Sequence, residues 1–338
     1  MSISERLQKH WQKSCWYLSI VLKPLAGLFF IISSVRRWLY CQGVLKQKAL
    51  PVPVIIIGNI NIGGVGKTPI LIYLVKTLQA QGFTVGVISR GYGRKNKETL
   101  LVQQEGQASL FGDEPIMIAK QTNAPVAVSS SRFDAGSLLL KKYPTLDLII
   151  SDDGLQHYAL KRDLELVVIN NQMGFGNGYL MPQGPLRENI QRLNKANALL
   201  ISDCPDQQHL SVALPNHLPV FYSYLHAHSF YSLHEPDLTQ AALAFKNKKI
   251  AAVAGIGRPD KFFTTLKQLD LNPTCFAFPD HYAYHEDDLP KGFDVIFTTE
   301  KDAVKLKNLP VKNVWVLPVN VTIAPDLALW VTEQLHLA

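Results

Sequence analysis

Apolar positions fall into runs along this chain, and the character of the runs changes from one region to the next. Residues 15–34 form a twenty-residue stretch with one charge, Lys23, which is long enough to cross a bilayer as a helix. Three details argue against a plain span. Lys23 would sit near its middle at a free-energy cost, Pro24 predicts a kink or restart, and Ser19, Lys23 and Gly27 recur every four residues as a thin polar stripe. The pattern predicts a helix lying in or dipping into a membrane surface, with Trp11, Trp16, Tyr17, Trp38 and Tyr40 at the interface level. A true span and a helix pair buried against the globular part are the alternatives. A cleaved signal peptide does not fit, because a long basic lead precedes the run and no small-residue cleavage pattern follows before Arg36.

Beyond residue 48 the runs are shorter. The continuous apolar run 52–57 predicts a strand buried on both faces, and the mostly apolar stretches 84–88 and 146–150 predict further strands. They alternate with helix-like segments from residue 51 to about 205, the signature of a parallel sheet with helices on both faces. Residues 206–245, rich in His, Pro and Tyr, read as a connector. A second, smaller α/β unit then opens with the apolar run 249–254 and closes with a helical stretch over 325–337. The predicted divisions are therefore 1–48, 49–205, 206–245 and 246–338. Gly255-Ile256-Gly257 is too short to claim a dinucleotide site and predicts a tight strand-to-helix turn.

At 338 residues, 47% hydrophobic and 18% charged, the chain is too apolar to be disordered and large enough for about two domains. The net charge of +7 would suggest nucleic acid if it were spread out. It is not: of 34 Lys and Arg and 27 Asp and Glu, residues 1–48 hold eight bases and one acid, leaving 26 of each elsewhere. The basicity belongs to the apolar leader, where it faces anionic lipid, and no nucleic-acid partner is expected. Cys15, Cys41, Cys204 and Cys275 form no C-x-x-C pair, which argues against a zinc ribbon, a redox motif or a disulfide scaffold.

The strand at 52–57 opens into Gly58-Asn59-Ile60-Asn61-Ile62-Gly63-Gly64-Val65-Gly66-Lys67-Thr68, followed by a helix-like stretch over 69–79. Strand, glycine loop, Gly-Lys-Thr and helix in that order are a P-loop in its expected context. Asn61, Ile62, Gly63, Gly64, Val65, Gly66, Lys67 and Thr68 are its nucleotide-binding residues: backbone N–H groups cradle phosphate, Lys67 faces the β/γ-phosphates and the Thr68 hydroxyl can ligate Mg²⁺. The position of the first motif glycine is taken by Asn61, an amino acid that tolerates a left-handed backbone. Residues 146–153, an apolar strand ending in Asp152-Asp153, supply a Walker B-like acid at the same sheet edge.

Three P-loop classes compete. A guanine reader Asn-Lys-x-Asp is lacking, since Asn194-Lys195-Ala196-Asn197 has no acid. Partition-type ATPases carry an extra lysine where Ile62 stands. A small-molecule kinase needs only the loop, a metal acid, a base for the acceptor hydroxyl and cationic groups around the phosphoryl. Candidates for those parts lie in Ser89-Arg90-Gly91-Tyr92, Gly112-Asp113-Glu114-Pro115, Asp153-Gly154-Leu155-Gln156-His157, Gly184-Pro185-Leu186-Arg187-Glu188 and Phe278-Pro279-Asp280-His281. His281 and His285 stand four apart, but no third ligand at a convincing spacing supports a metal site there.

In number and order these strings, with the basic apolar leader and Thr298-Thr299-Glu300-Lys301-Asp302, resemble the tetraacyldisaccharide 4′-kinase family of lipid A biosynthesis, which also lacks the first loop glycine. The resemblance implies a P-loop enzyme that moves the γ-phosphate of ATP to the 4′-hydroxyl of an acylated glucosamine disaccharide 1-phosphate. It further implies Mg²⁺ as cofactor, a peripheral or monotopic position on the cytoplasmic face of the bacterial inner membrane, and no obligate protein partner. Carried over by position, Asp113 resembles the base, assisted by His281, with Lys67 on the transferred phosphate. Asp152 and Asp153 would hold Mg²⁺ with Thr68, and Glu114 and Glu188 would join that shell. Arg90, Arg132, Gln156 and Arg187 would contact substrate or its phosphates. The active site would then lie between the two α/β units and be assembled by their closure about the connector. A membrane-docked ATPase coupled to a protein partner is the rival from another class, and a soluble kinase of a small polar metabolite a weaker one.

Overall fold

The computed structural model describes residues 7, 10, 11, 15–226, 229–307 and 309–337. The apolar leader forms one helix, α1 (Trp16–Cys41), continuous through Pro24. The expected restart at Pro24 does not occur: the helix runs through it. Of its residues only Ala26 is buried, while Trp16, Ile20, Val21, Leu28, Ile31, Ile32 and Trp38 are exposed. That excludes the alternative of a helix buried against the globular part.

The first unit runs β1 (Val54–Gly58), α2 (Lys67–Ala80), β2 (Val85–Ser89), β3 (Leu100–Leu101), α3 (Ala108–Phe111) and α4 (Asp113–Thr122). It continues through β4 (Val126–Val128), α5 (Arg132–Lys142), β5 (Leu148–Asp152), β6 (Leu164–Asn170), β7 (Ala198–Ser202) and β8 (Val220–His226). The second unit holds β9 (Ser229–Ser232), β10 (Thr239–Ala241), β11 (Ile250–Ala254), α6 (Pro259–Gln268), β12 (Thr274–Ala277), β13 (Val295–Thr299), α7 (Glu300–Leu306) and β14 (Val314–Leu317). β15 (Asn320–Ala324) and α8 (Leu327–Leu335) end the chain.

Nine strands in the order β15-β8-β7-β6-β1-β5-β2-β4-β3 make the large sheet, parallel from β8 to β4 with an antiparallel strand at each edge. All five residues of β1 are buried, as a strand covered on both faces requires. Its alternate side chains feed two layers. Ile55 and Ile57 pack with Leu71, Leu74 and Val75 of α2, while Val54 and Ile56 pack with Leu139 of α5 and with Leu155. The small sheet, β10-β9-β14-β13-β11-β12, is parallel from β14 to β12 and closes on an aromatic core in which Phe230 stacks on Phe297 at 4.2 Å.

The pairings redraw the expected divisions. β8 lies inside the stretch expected to be a connector, yet it is a strand of the large sheet. β15 and α8, expected in the second unit, return to the first: β15 pairs antiparallel with β8, and Leu327, Ala328 and Val331 enter the large core. The physical reason is edge pairing. β8 would present a bare edge, and β15 covers it while α8 covers the adjoining apolar face, with Trp330 edge-on to Phe221 at 5.5 Å. Since β9 likewise pairs antiparallel with β14, the units are joined by a two-stranded ribbon, β8–β9 against β14–β15. Leu327→Ala is therefore expected to destabilise the first unit by about 2–5 kcal/mol. Urea unfolding followed by hydrogen exchange should place the loss in the large sheet; a loss confined to the small sheet would contradict this assignment.

Candidate active site

The parallel register of β1 with β5 sets Ile57 level with Asp152, so the acidic strand end and the start of the phosphate loop share one sheet edge. Gly63 and Gly66 take left-handed backbone, φ 108° and 85°, which the loop needs in order to turn its N–H groups inward. Asn61 does not, contrary to the expectation that it stands in for glycine in a left-handed conformation. Instead it forms an antiparallel bridge to Leu186, and its side-chain amide donates to the Gly174 carbonyl at 2.8 Å. The Gly184-Pro185-Leu186-Arg187 turn backs the loop: Ile62 N–H donates to Pro185 O and Arg187 N–H to Ile60 O. Ser202 at the end of β7 donates to Val65 O at 2.6 Å. Lys67 donates to Asn59 Oδ1 at 2.8 Å and lies 3.4 Å from Asp153.

Asp152 and Asp153 have opposite surroundings. Asp152 is buried at the end of β5, with Ser89 donating to Oδ2 at 3.3 Å and no hydrogen-bond partner for Oδ1 among the described residues. Burial, reinforced by Glu114 and Asp153, pushes its pKa up. Asp153, held at φ 47°, faces Lys67 and Arg187, the latter at 3.1 Å. Burial works against its charge too, but Lys67 and Arg187 outweigh it and bring the carboxyl to about 2. A buried carboxylate oxygen without a partner among the described residues, in a cleft also lined by Asp153 and Thr68, fits a Mg²⁺ ion, which takes one or two carboxylates and fills its other positions with phosphate and water.

Asp113 opens α4 and is buried. The residue before it, Gly112, lies at φ 89°, and a Cβ there would fall 3.1 Å from Gly91 Cα and from Tyr92 O. The Arg90-Gly91-Tyr92 turn thus packs directly on the start of this helix. His281 arrives from the second unit in a left-handed conformation, with Nδ1 3.0 and 3.1 Å from the two Asp113 oxygens and its ring 4.9 Å from that of Tyr92. Burial pushes the Asp113 carboxyl up, yet the His281 hydrogen bond and the nearby Lys301 charge together hold it below its ordinary value. The same bond to Asp113 raises the His281 pKa, opposed by burial and Lys301.

A cleft of about 1520 Å³ runs from α1 across the phosphate loop to the second unit. It is lined by Phe29, Phe30, Arg36 and Arg37 of α1, by Lys67, Thr68, Arg90, Asp152, Asp153 and Arg187, and by Arg258, His281 and Lys301 opposite. Contacts bridge its two walls at several points: Arg258 donates to Asn170 at 3.2 Å and to Gln172 at 3.0 Å, Lys261 binds Asp203, and Gln121 donates to Glu300 at 2.6 Å.

Several residues expected to touch metal or substrate have other partners. Arg132 is buried and donates to the carbonyls of Ser129 and Asp152, so it fastens the acidic turn to α5. Glu188 accepts from Gln156 at 2.9 Å and from the Tyr158 hydroxyl, and it faces Arg192 at 3.4 Å and Arg37 at 4.0 Å; these bonds occupy both of its oxygens. Gln156 also donates to Asn59 O at 3.1 Å, tying Glu188 to the phosphate loop. Glu114 pairs with Lys301 at 3.0 Å. Arg90 remains exposed at the cleft wall. His157, beside it in the cleft, is driven to about 4 by burial and by Arg132 and Arg90. Sequence reasoning gave no role to Lys301, Asn59 or Arg258. Lys301 lies inside the Thr298–Asp302 string and Arg258 just after Gly255-Ile256-Gly257, but neither string reveals the partners in the first unit, Glu114 for Lys301 and Asn170 and Gln172 for Arg258.

The Asp153 shift has a measurable consequence. Its carboxyl falls to about 2 on folding from an ordinary 3.8, so the ionised form stabilises the fold above about pH 4 and that contribution is lost as pH falls through 2. Asp153→Asn is expected to melt below the parent at pH 5 and to converge with it toward pH 2; a gap that is constant across this range would contradict the pairing.

Comparison with known proteins agrees with this geometry. The family model described as Tetraacyldisaccharide-1-P 4′-kinase matches residues 18–336. The chain is 41% identical to the tetraacyldisaccharide 4′-kinase of Chromobacterium violaceum, over 97% of each chain. It is 42% identical to that of Neisseria meningitidis, over 98% of this chain and 95% of the other. The crystal structure of LpxK from Aquifex aeolicus in complex with ATP superposes with a TM-score of 0.80 at 31% identity, covering 94% of this chain and 98% of that one. Matched along nearly its whole length in sequence and in fold, this chain belongs to the tetraacyldisaccharide 4′-kinase family.

Proposed function

We propose that the cleft binds ATP on the phosphate loop and transfers its γ-phosphoryl group to the 4′-hydroxyl of an acylated glucosamine disaccharide 1-phosphate, with Asp113 as the base. The observation that carries the reading is a buried carboxylate, Asp113, held by His281, a histidine that itself lines a cleft joining a phosphate loop to an exposed apolar helix. The bond that forms joins the sugar oxygen to Pγ, the bond that breaks joins Pγ to the β,γ-bridging oxygen, and ADP leaves. Asp113 takes the hydroxyl proton as the new bond forms, since a sugar hydroxyl is far too weak an acid to ionise beforehand. His281 orients the carboxylate, and Lys67 faces the charge that moves toward the leaving oxygen. Arg187, 3.1 Å from Asp153, can swing from that pair to the phosphoryl oxygens, and Arg90 contributes further positive charge at the cleft wall. Asp152, Asp153 and Thr68 would hold Mg²⁺, which neutralises phosphate charge when bound.

The acyl chains stay in the bilayer while the sugar enters the cleft beside α1. The support is the exposed apolar surface of α1 with Arg36 and Arg37 at its cleft end, and the basic flanks suit the anionic cytoplasmic leaflet of an inner membrane. Deletion of residues 1–40 is expected to move the protein from the membrane pellet to the supernatant, and unchanged sedimentation would contradict membrane docking.

Purified protein in detergent, given γ-labelled ATP, Mg²⁺ and the acylated disaccharide 1-phosphate, is expected to label the lipid. Asp113→Asn should lower kcat by about 10²–10⁴-fold with ATP affinity little changed. ATP consumption without lipid labelling would favour the membrane-docked ATPase.

A further inference from the structure

We propose that Lys301 is a positioning residue for the Asp113–His281 pair: its ammonium donates to Nε2 of His281 and thereby fixes the neutral ring with its proton on Nδ1. Lys301 is the second residue of α7, a helix whose start is capped by the Thr299 hydroxyl. Its Nζ lies 3.0 Å from Glu114 Oε1, 3.2 Å from Asp280 Oδ1 and 3.3 Å from His281 Nε2. An ammonium has three N–H donors and no acceptor, so three contacts use all three, and the contact to Nε2 requires a lone pair on that nitrogen. On the other side of the ring, Nδ1 faces both oxygens of Asp113, an acceptor when ionised, and so must carry the proton. The two contacts demand the same protonation state. An imidazolium would set a second N–H against the ammonium, and the opposite tautomer would set lone pair against carboxylate.

Of the groups facing the ring, the Asp113 and Asp280 carboxylates favour its protonation, and the Lys301 ammonium together with burial opposes it. Asp280 Oδ2 lies 3.8 Å from Nε2, beyond hydrogen-bond reach, and the other oxygen of Asp280 is held by Lys301 itself. Tyr92 offers a ring face rather than a charge. Glu114 comes from the first unit and Asp280 from the second, so the ammonium reaches its three partners only where the two walls meet. The consequence for chemistry rests on the reading of Asp113 as the base. A neutral imidazole orients the carboxylate without binding it as an ion pair, and so leaves it able to accept a proton. Without Lys301, no other donor among the described residues holds Nε2 as an acceptor, and Asp280 would draw a proton onto it.

The test is nitrogen NMR of protein labelled with ¹⁵N-histidine, where protonated and unprotonated ring nitrogens resonate far apart and the His281 signals are identified by their loss in His281→Gln. The parent is expected to show Nδ1 protonated and Nε2 bare; an imidazolium or an Nε2–H ring at pH 7 would overturn the proposal. In Lys301→Met the ring should gain a proton on Nε2, and kcat should fall by up to about a hundredfold with the KM for ATP little moved. An unchanged His281 spectrum in that variant would equally overturn it. Asp113→Asn separates this proposal from the reading of Asp113 as base. The asparagine carbonyl still accepts from Nδ1–H and Lys301 still holds Nε2, so the ring signature should persist there whatever happens to kcat. Loss of that signature would show that Asp113 alone sets the tautomer and would overturn the role of Lys301.

Discussion

A carboxylate that is 4% exposed keeps its charge only beside a partner, and for Asp113 the partner, His281, belongs to the other α/β unit. Much of the architecture between these two residues can be understood as meeting that constraint. The units are held by a two-stranded ribbon rather than a single tether, and a ribbon limits twist and shear between the walls it joins. Gln121–Glu300 and Glu114–Lys301 then fix α4 against α7 close to the Asp113–His281 contact. Removing His281 would leave the buried Asp113 carboxylate without its partner, which typically costs several kcal/mol.

The phosphate loop follows a similar logic on a smaller scale. Where most P-loops have their first glycine, this one has Asn61, and the backbone there is tied to the 184–187 turn instead of being freed to turn. The same turn delivers Arg187 to Asp153 and Glu188 to Gln156, and Gln156 returns to Asn59 in the loop. One short segment therefore positions the loop, an arginine facing the acidic turn, and a glutamate that reaches toward Arg37 of α1. Glu188, which the family resemblance would place around the metal, is in this structure the brace between the exposed apolar helix and the loop. Arg132 is likewise a brace, buried beneath the carbonyls of the acidic turn.

α1 presents its apolar surface outward while Arg36 and Arg37 line the cleft, so an exposed apolar helix and the phosphate loop lie on one continuous wall. On the proposed reading, in which the substrate has acyl chains at one end and a reacting hydroxyl at the other, that continuity would let the sugar reach the loop without drawing the chains through water.

What the sequence determined by itself were the features set by local chemistry. Buried parallel strands need apolar runs, so 52–57 and 148–150 were legible; a phosphate loop needs glycines before Lys-Thr, so 58–68 was legible; a long exposed helix with a largely apolar surface needs a long stretch almost free of charge, so 15–34 was legible. Even the pairing of Asp113 with His281 was anticipated, though through the resemblance to a known family rather than from spacing. What only the tertiary structure decided were matters of partnership over long separations. Nothing local distinguishes β15 and α8 from elements of the second unit, because edge pairing with β8 is a property of the assembled sheet. Nor does spacing reveal that Arg132 and Glu188 satisfy internal bonds, or that Lys301 closes on His281 from an adjacent helix. A charged side chain looks the same in sequence whether it meets substrate, metal or another side chain, and its neighbours are set by the fold as a whole.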